Sequence, residues 1–242
     1  MFTKSARYYD ALYAFKDYGA AAAALRAHVR NRHADAASLL DVGCGTGRHL
    51  QELRGDYQVE GLDLSPELLQ VARDRLGPDV PLHQADMADF ALGRRFDVVT
   101  CLFSAVAYVR THENLRRAVR CMADHLNPGG LLLIEPWFSP ERYWVGRITA
   151  NFVDEPDLKI AWMYVSERRG DVSVLPIHYM VGTTGGVEEF REEHQLGLWT
   201  HEEYMAALSD AGLTEVAHDA AGFFGRGLYS GRDAALWYDA RV

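Results

Sequence analysis

Residues 39–47, LLDVGCGTG, constrain the fold more than any other segment of the chain. Residues 39–42 are a short apolar run that ends abruptly in glycines. Such a run predicts a strand of a parallel sheet, because these strands are buried on both faces. Gly43, Gly45 and Gly47 would let the backbone turn sharply and approach a ligand without a Cβ in the way. We therefore expect a strand, a ligand-binding loop and a helix, in that order.

The glycine spacing limits the ligands that this loop can bind. Its pattern is G-x-G-x-G, whereas the dinucleotide loop of nicotinamide enzymes has the pattern G-x-G-x-x-G. Asp41 stands two residues before the first glycine, and a carboxylate there would repel a pyrophosphate. It would suit a cationic group such as the amino group of methionine, partly through water or the backbone. The loop therefore disfavours a nicotinamide oxidoreductase.

Further polar residues stand where predicted strands end. Asp63 closes the second strand about twenty residues past the loop, where a carboxylate can accept hydrogen bonds from both hydroxyls of a ribose. Asp86 follows the third strand, where it would meet the amino group of an adenine, with Met87 as an apolar shelf. Residues 127–130, Asn-Pro-Gly-Gly, predict a tight turn before the fifth strand.

Strands alternate with helices through the middle of the chain. Ser65 is a predicted cap for the helix that begins with Pro66. This alternation indicates βαβ units and a parallel sheet. The predicted strands are 39–42, 59–64, 82–85, 96–102 and 131–135, and the predicted helices are 49–54, 66–76 and 114–126.

The two ends of the chain have other patterns. Residues 1–34 are helical in pattern and would form an N-terminal cap. Residues 146–198 hold short alternating runs between turn signals, which predict a small inserted antiparallel β lid. The remaining predicted elements are a helix over 200–211, with Thr200 and Glu203 as its capping box, and a final stretch through Phe223 and Phe224 to Trp237 that completes the sheet.

Composition restricts the partners of the chain. Its 242 residues suit a single α/β domain, 1–242, with an insertion. A net charge of -9 argues against nucleic acid and anionic membranes, which are polyanions. Three scattered cysteines suggest neither disulfides nor a zinc site, so a reduced, cytoplasmic setting is expected. We find no other metal-ligand pattern in the sequence. We see neither a leader nor a membrane-spanning run.

Taken in this order, residues 38–137 resemble the class I S-adenosylmethionine-dependent methyltransferases. The resemblance implies a Rossmann-like α/β fold and S-adenosylmethionine as the cofactor. It also implies that the loop lines the cofactor, that the strand-end acids hold its ribose and adenine, and that a residue of the N-terminal helix closes over it. The expected cofactor residues are Asp41, Gly43, Gly45 and Gly47 in the loop, Asp63 and Leu64 at the ribose, Asp86 and Met87 at the adenine, Leu102 near the sulfonium, and Lys16 or Tyr18 as the closing residue.

Other motifs are shared with a narrower family and run over nearly the whole chain. They lie at 9–13 (YDALY), 16–18 (KDY), 82–87 (LHQADM), 103–108 (FSAVAY), 135–137 (EPW) and 225–228 (GRGL). They resemble the TDP-amino-sugar N-methyltransferases of macrolide pathways, the desosamine and mycaminose enzymes, which implies dimethylation of a sugar amine linked to TDP. The expected acceptor residues are Tyr9 and Tyr13 on the sugar nucleotide, Trp137 beside the acceptor pocket, Arg226 on the diphosphate, and Tyr9, Tyr108 and His178 as catalytic candidates around the amine.

Three departures from that family leave the acceptor open. The segment between Tyr13 and Lys16 is shorter, the tail past Gly231 differs, and residues 103–105 replace a more usual Ser-Ser pair. Another antibiotic-pathway amine, such as the nitrogen of a lincosamide-type intermediate, would use the same chemistry. The resemblance also leaves open whether the chain is a monomer or a homodimer.

The absence of an evident base in the sequence separates the remaining alternatives. A free amine needs only to arrive deprotonated, whereas a hydroxyl needs a base or a metal, and the main task of the protein is then orientation. Glu192, Glu193 and His194 are adjacent on a predicted strand, so their side chains alternate between faces, and we interpret them as a solvated edge. An N-methyltransferase is therefore favoured over an O-methyltransferase. The complete glycine loop, Asp63 and the predicted lid on the acceptor side argue against a non-catalytic S-adenosylmethionine-binding module.

Overall fold

The computed structural model describes residues 2–223 and 225–234. The strands of this part of the chain are β1 Ser38–Val42, β2 Gln58–Asp63, β3 Leu82–Gln84, β4 Phe96–Cys101, β5 Leu126–Ile134, β6 Ile148–Glu155, β7 Leu158–Val165, β8 Glu167–Arg169, β9 Val172–Thr183, β10 Gly186–Gly197, β11 Thr214–Asp219 and β12 Leu228–Arg232. Its helices are α1 Tyr9–Leu12, α2 Tyr18–Arg30, α3 Arg48–Leu53, α4 Pro66–Leu76, α5 His112–Asp124 and α6 His201–Asp210, with short 3₁₀ helices over Lys4–Tyr8 and Ala105–Val109.

The central sheet has the strand order β3-β2-β1-β4-β5-β12-β11. Strands β1 to β5 are parallel, whereas β12 is antiparallel to β5 and β11 is antiparallel to β12. Successive side chains of a strand point to opposite faces. Leu39 accordingly packs with α2, α3 and α4, and Leu40 packs with α5 and α6. Helices therefore cover both faces of the sheet, and the predicted α/β architecture is confirmed.

Capping residues fix the starts of two helices where the sequence predicts them. The Ser65 hydroxyl accepts a hydrogen bond from the Leu68 N–H at 3.2 Å, and Pro66 is the first residue of α4. Thr200 and Glu203 form the reciprocal capping box of α6. These bonds satisfy N–H groups that have no partner within the helix.

Strand β5 differs from the prediction at residues 127–130. We predicted a tight turn there, but β5 already begins at Leu126, and its register against β4 shifts between Phe96 and Val98. The Asn-Pro-Gly-Gly segment is therefore an irregularity inside the strand. Gly129 takes a φ of 76°, which glycine adopts more readily than other residues.

Residues 148–197 form a second, antiparallel sheet, which we call the lid sheet. Its order is β10-β9-β7-β6, with β8 paired to β9. The predicted antiparallel lid is confirmed. Leu175, Ile177 and Tyr179 of β9 pack into the same core as Leu40 of β1, so the lid sheet is fixed against the central sheet.

Strands β11 and β12 complete the central sheet, as predicted for the end of the chain. Phe224 and Trp237, which we placed in that final stretch, lie outside the described residues. The predicted helical segment over 1–34 is interrupted between α1 and α2. None of the helices within 2–223 and 225–234 is long and apolar enough to cross a membrane.

Candidate active site

A cavity of about 480 Å³ lies at the carboxyl ends of the parallel strands. Residues that follow β1, β2, β3 and β4 form its floor, and Ile177 and Leu196 of the lid sheet form its roof. Phe2 and Tyr9 of the N-terminal segment line one side. Ligands of open α/β sheets bind at this edge, so the position of the cavity marks it as the functional site.

The three glycines of the β1 loop have different surroundings. Gly43 and Gly45 line the cavity. A Cβ on Gly43 would stand 2.6 Å from the Cβ of Ala105, whereas nothing lies within 4 Å of the corresponding position on Gly45. Gly47 does not line the cavity, and its predicted contact with the ligand stays a prediction. A Cβ there would stand 2.8 Å from Leu76 Cδ1, which shows that Gly47 allows α3 to pack against α4.

Asp63 joins the β1 loop to the end of β2. Its Oδ2 accepts a hydrogen bond from the Gly45 N–H at 2.8 Å, and its Oδ1 accepts one from the Ser65 N–H at 2.9 Å. Burial raises the pKa of this carboxyl. Asp63 and the neighbouring Leu64 both line the cavity. Each carboxylate oxygen keeps accepting capacity, so the group can receive two hydroxyls of a ligand.

The residues predicted at the adenine and at the sulfonium also line the cavity. Asp86 and Met87 follow β3, and Leu102 follows β4. The Asp86 Oδ1 accepts a hydrogen bond from the Ala88 N–H at 2.9 Å, which fixes the carboxylate. These side chains combine a polar acceptor with an apolar surface, the combination that a planar base with amino groups needs.

Besides Gly47, three predicted cofactor residues do not line the cavity. Asp41 is buried, and its Oδ1 accepts a hydrogen bond from the Thr100 hydroxyl at 2.8 Å. Lys16 is buried with its amine against the ring of Phe103, and Tyr18 is buried against the ring of His49. Neither candidate for the closing residue lines the cavity, and both side chains are buried in the protein.

Replacing Asp41 by asparagine should change how stability depends on pH. Burial, with Asp63 and Glu135 nearby, raises the Asp41 pKa from 3.8 to about 7. Between these values the folded chain holds a proton that the unfolded chain has lost, so stability falls as the pH rises. We expect the free energy of unfolding of the wild type to fall relative to Asp41→Asn by at most about 4 kcal/mol from about pH 4 to about pH 7.

Denaturant unfolding of both proteins across this pH range measures the difference. Asp97→Asn is the matched control, because hydrogen bonds lower the pKa of Asp97 despite partial burial. Its difference from the wild type should be constant above about pH 5. Parallel curves for the wild type and Asp41→Asn would contradict the assignment of the raised pKa to Asp41.

The aromatic residues predicted at the acceptor lie together at one end of the cavity. Tyr9, Tyr13, Tyr108 and Trp137 all line it, and the ring centroids of Tyr9 and Tyr13 are 4.6 Å apart. The guanidinium carbon of Arg226 lies 4.7 Å from the centroid of the Trp137 ring. Arg226 also lines the cavity, so a cation stacked on an aromatic wall faces the ligand space.

His178 is misplaced in the prediction. It lies on β9 between Ile177 and Tyr179, which are buried, but its own side chain is exposed and does not line the cavity. The alternation along the strand puts it on the outer face of the lid sheet. Its predicted contact with an acceptor amine is therefore wrong.

The interpretation of residues 192–194 as a solvated edge is also wrong. Glu192 and His194 are 7% and 2% exposed, because the N-terminal segment covers this part of β10. The His194 Nδ1 lies 2.8 Å from the hydroxyl of Tyr108. Glu192 and His194 are two residues apart along β10, so their side chains point to the same face of the strand. This spacing was the only sign of the shared face in the sequence. His194 also lines the cavity, and so does Phe2, which the prediction missed.

The geometry defines the class of protein. A parallel sheet with one antiparallel strand inserted next to β5, a glycine loop after β1 and an acid at the end of β2 form a nucleoside site of the class I methyltransferase type. In the described parts of the chain, no group of three or more His, Cys, Asp or Glu side chains is placed to hold a metal ion.

Known proteins share this arrangement. Residues 39–130 match a family described as a methyltransferase domain. The chain is 42% identical to a dTDP-3-amino-3,4,6-trideoxy-alpha-D-glucopyranose N,N-dimethyltransferase from Streptomyces venezuelae, over 89% of this chain and 91% of that one. It is 41% identical to a dTDP-4-amino-2,3,4,6-tetradeoxy-D-glucose N,N-dimethyltransferase from Saccharopolyspora spinosa, over 92% and 90%.

A solved structure agrees with these sequence relatives. The amino pentose methyltransferase of calicheamicin biosynthesis from Micromonospora echinaspora, solved with S-adenosylmethionine bound, superimposes with a TM-score of 0.84 at 40% identity, over 97% of this chain and 98% of that one. The chain therefore belongs to the S-adenosylmethionine-dependent methyltransferases, in the group that contains these N,N-dimethyltransferases. It is an enzyme, and S-adenosylmethionine is its cofactor.

The residues present fit that cofactor. The open space beside Gly45 and the close approach at Gly43 form a cradle that side chains would fill. Asp63 keeps accepting capacity on both oxygens, and Asp86 and Met87 offer a polar and an apolar contact in the same cavity. A ribose and an adenine need these groups at neighbouring strand ends.

Proposed function

We propose that this enzyme dimethylates the amine of a TDP-linked deoxyamino sugar in an antibiotic-type pathway. The main support for this proposal is the position of Arg226. Its side chain stacks on Trp137 and lines the same cavity as the cofactor residues. The acceptors named for the two sequence relatives are dTDP-linked amino sugars with the amine at different carbons. This difference leaves the position of the amine in the acceptor of this chain to experiment.

The cofactor end of the cavity has one assigned role for each side chain. Asp63 would accept both ribose hydroxyls, with Leu64 beside the sugar. Asp86 and Met87 would hold the adenine, and Leu102 would lie near the sulfonium. These roles are supported by the position of all five residues on the cavity wall. When bound, S-adenosylmethionine supplies an electrophilic methyl group.

The acceptor end has an arginine and aromatic walls. Arg226 would bind the diphosphate, since a guanidinium donates to phosphate oxygens in pairs. Burial lowers the pKa of Arg226, an effect that the charge of Glu135 opposes. Tyr9, Tyr13 and Trp137 would enclose the sugar and exclude water. A neutral amine is itself a nucleophile, so the chain needs only to hold it in line with the methyl group.

Mass spectrometry tests this proposal directly. The enzyme is incubated with S-adenosylmethionine and TDP-linked 3-amino and 4-amino deoxyhexoses, a lincosamide-type amine, and the matching TDP sugar with a hydroxyl in place of the amine. We expect one TDP-amino sugar to gain two methyl groups and the hydroxyl analogue to gain none. Methylation of the hydroxyl analogue, or of the lincosamide-type amine alone, would overturn the assigned acceptor.

Three features predicted from the sequence also belong to this proposal. The chain would act as one domain, supported by the core that joins β1 to the lid sheet. It would work in the cytoplasm, where its free cysteines stay reduced. If it forms a homodimer, the exposed apolar residues Ile148, Phe152 and Met163 of the lid sheet offer a surface to cover.

A further inference from the structure

A chain of three polar side chains leads from the cavity wall into the protein. The hydroxyl of Tyr108, which lines the cavity, lies 2.8 Å from His194 Nδ1. The other ring nitrogen of His194, Nε2, lies 3.7 Å from Glu192 Oε2. Tyr108 belongs to the segment after β4, whereas the other two residues belong to β10 of the lid sheet. The contact therefore connects the two sheets beside the acceptor end of the cavity.

The N-terminal segment holds Glu192 in place. Glu192 Oε1 accepts hydrogen bonds from the Thr3 N–H at 3.1 Å, the Thr3 hydroxyl at 2.8 Å and the Ser5 N–H at 3.1 Å, and Oε2 accepts one from the Ser5 hydroxyl. Although burial acts to raise it, the nearby ring of His194 and hydrogen bonds from Ser5 and Thr3 hold the pKa of Glu192 below its ordinary value. The carboxylate is therefore ionised and can only accept.

This carboxylate decides which nitrogen of His194 carries the hydrogen. An ionised Glu192 favours a hydrogen on the nearer ring nitrogen, Nε2. Burial lowers the pKa of His194, which favours the neutral ring. Nδ1 is then an acceptor, so the hydroxyl of Tyr108 must donate to it. The Tyr108 oxygen can then only accept a hydrogen bond from a ligand in the cavity, through its lone pairs.

We propose that Glu192 and His194 are positioning residues, which fix the Tyr108 hydroxyl as a hydrogen-bond acceptor for the N–H of the acceptor amine. This inference rests on the proposed function, because it requires an amine in the cavity. A tyrosine that donated to the amine would occupy the nitrogen lone pair that must attack the methyl group. A tyrosine that accepts leaves this lone pair free. A primary amine and its monomethylated product both carry an N–H, so the same contact serves both methylations.

Kinetics of four variants test the inference. His194→Leu removes the acceptor for the tyrosine, and we expect kcat to fall about tenfold or more, with the acceptor KM and the cofactor Kd changed less than about twofold. His194→Asn can offer an oxygen in place of Nδ1 and should restore most of kcat. Tyr108→Phe should lower kcat at least as much as His194→Leu does. In the double variant Tyr108→Phe/His194→Leu, the histidine substitution should lower kcat no further than Tyr108→Phe alone, because the tyrosine hydroxyl that His194 positions is already absent.

A matched control separates positioning from general damage to the fold. His125 is a second buried histidine. Both of its ring nitrogens are hydrogen-bonded, and it does not line the cavity. His125→Leu should leave kcat unchanged at a temperature where the protein stays folded. Equal losses from His194→Leu in the wild-type and Tyr108→Phe backgrounds, or no rescue by His194→Asn, would overturn the inference.

A measurement without substrate distinguishes this inference from the proposed acceptor. Long-range proton–nitrogen NMR spectra of protein labelled at histidine report which ring nitrogen carries hydrogen, and the His194→Asn variant assigns the signal. We expect His194 to be neutral with its hydrogen on Nε2. A hydrogen on Nδ1 would refute the inference even if the TDP-amino sugar is methylated. The expected tautomer, with none of the tested amines methylated, would refute the acceptor and leave Tyr108 assigned as an acceptor toward the cavity.

Discussion

Asp63→Ala is expected to weaken the binding of S-adenosylmethionine by about 100-fold or more. The substitution removes the acceptor of two ribose hydroxyls, and each hydrogen bond to a charged group contributes about 1.5–3 kcal/mol. It also frees the Gly45 and Ser65 N–H groups, which the carboxylate holds at 2.8 and 2.9 Å. The loop that forms the cradle would then lose its anchor, so both effects act in the same direction. Isothermal titration calorimetry measures the affinity.

A carboxylate at the opposite end of the sheet provides the control. Asp97 at the start of β4 also holds backbone N–H groups, those of Ala37 and Ser38, at 2.9 and 3.0 Å. Asp97→Ala should lower the melting temperature while leaving the cofactor affinity within about twofold, because it lies far from the carboxyl ends of the strands. Asp63→Asn, which keeps one acceptor oxygen, should fall between the wild type and Asp63→Ala. An unchanged affinity in Asp63→Ala would remove the ribose assignment.

The cofactor half of the site was predictable because its signals are local. A buried strand, a glycine loop and a strand-end acid fix their own geometry within about twenty-five residues, from Leu39 to Asp63. Gly47 shows the limit of this reasoning. A glycine at a turn serves a ligand or a packing contact equally well, and only the structure shows the packing contact, since a side chain there would strike Leu76.

The covered face of the lid sheet could not be predicted, because it depends on contacts between distant parts of the chain. Glu192 is held by Ser5, 187 residues away in sequence. An acidic strand segment has the same appearance whether water or another segment covers it. The error for His178 has a related cause, since alternation along β9 shows that the strand has two faces but not which of them meets the cavity.

The same limit applies to Asp41 and Lys16, which stand two and three residues from the cavity-lining residues Gly43 and Tyr13. Asp41 lies inside a strand that is buried on both sides, so its carboxylate meets Thr100 of the adjacent strand rather than a ligand. Lys16 lies between α1 and α2, where its side chain is buried although that of the adjacent Phe15 is exposed. Sequence motifs thus locate the loop but do not decide which of its side chains reach the cavity.

Arg226→Ala is expected to raise the KM for a TDP-linked acceptor by about 100-fold, with the cofactor affinity changed less than about twofold. A paired contact between guanidinium and diphosphate contributes to binding in the ground state, so KM should change more than kcat. The Kd of TDP alone, measured by calorimetry, should rise by a similar factor. Arg226→Lys keeps the charge but not the planar fork, and should lie between the two.

Arg147→Ala is the matched control, since Arg147 also stacks on a tryptophan, with its guanidinium carbon 4.6 Å from the Trp144 ring centroid, but does not line the cavity. Its loss should leave both KM values and the TDP affinity unchanged. The alternative role for Arg226 is to hold the ring of Trp137 in place, since its guanidinium carbon lies 4.7 Å from the centroid of that ring. In that case Arg226→Ala would raise the acceptor KM while the affinity for TDP alone stayed constant. A weaker cofactor affinity with normal TDP binding would instead place Arg226 at the cofactor end and leave the diphosphate without its assigned partner.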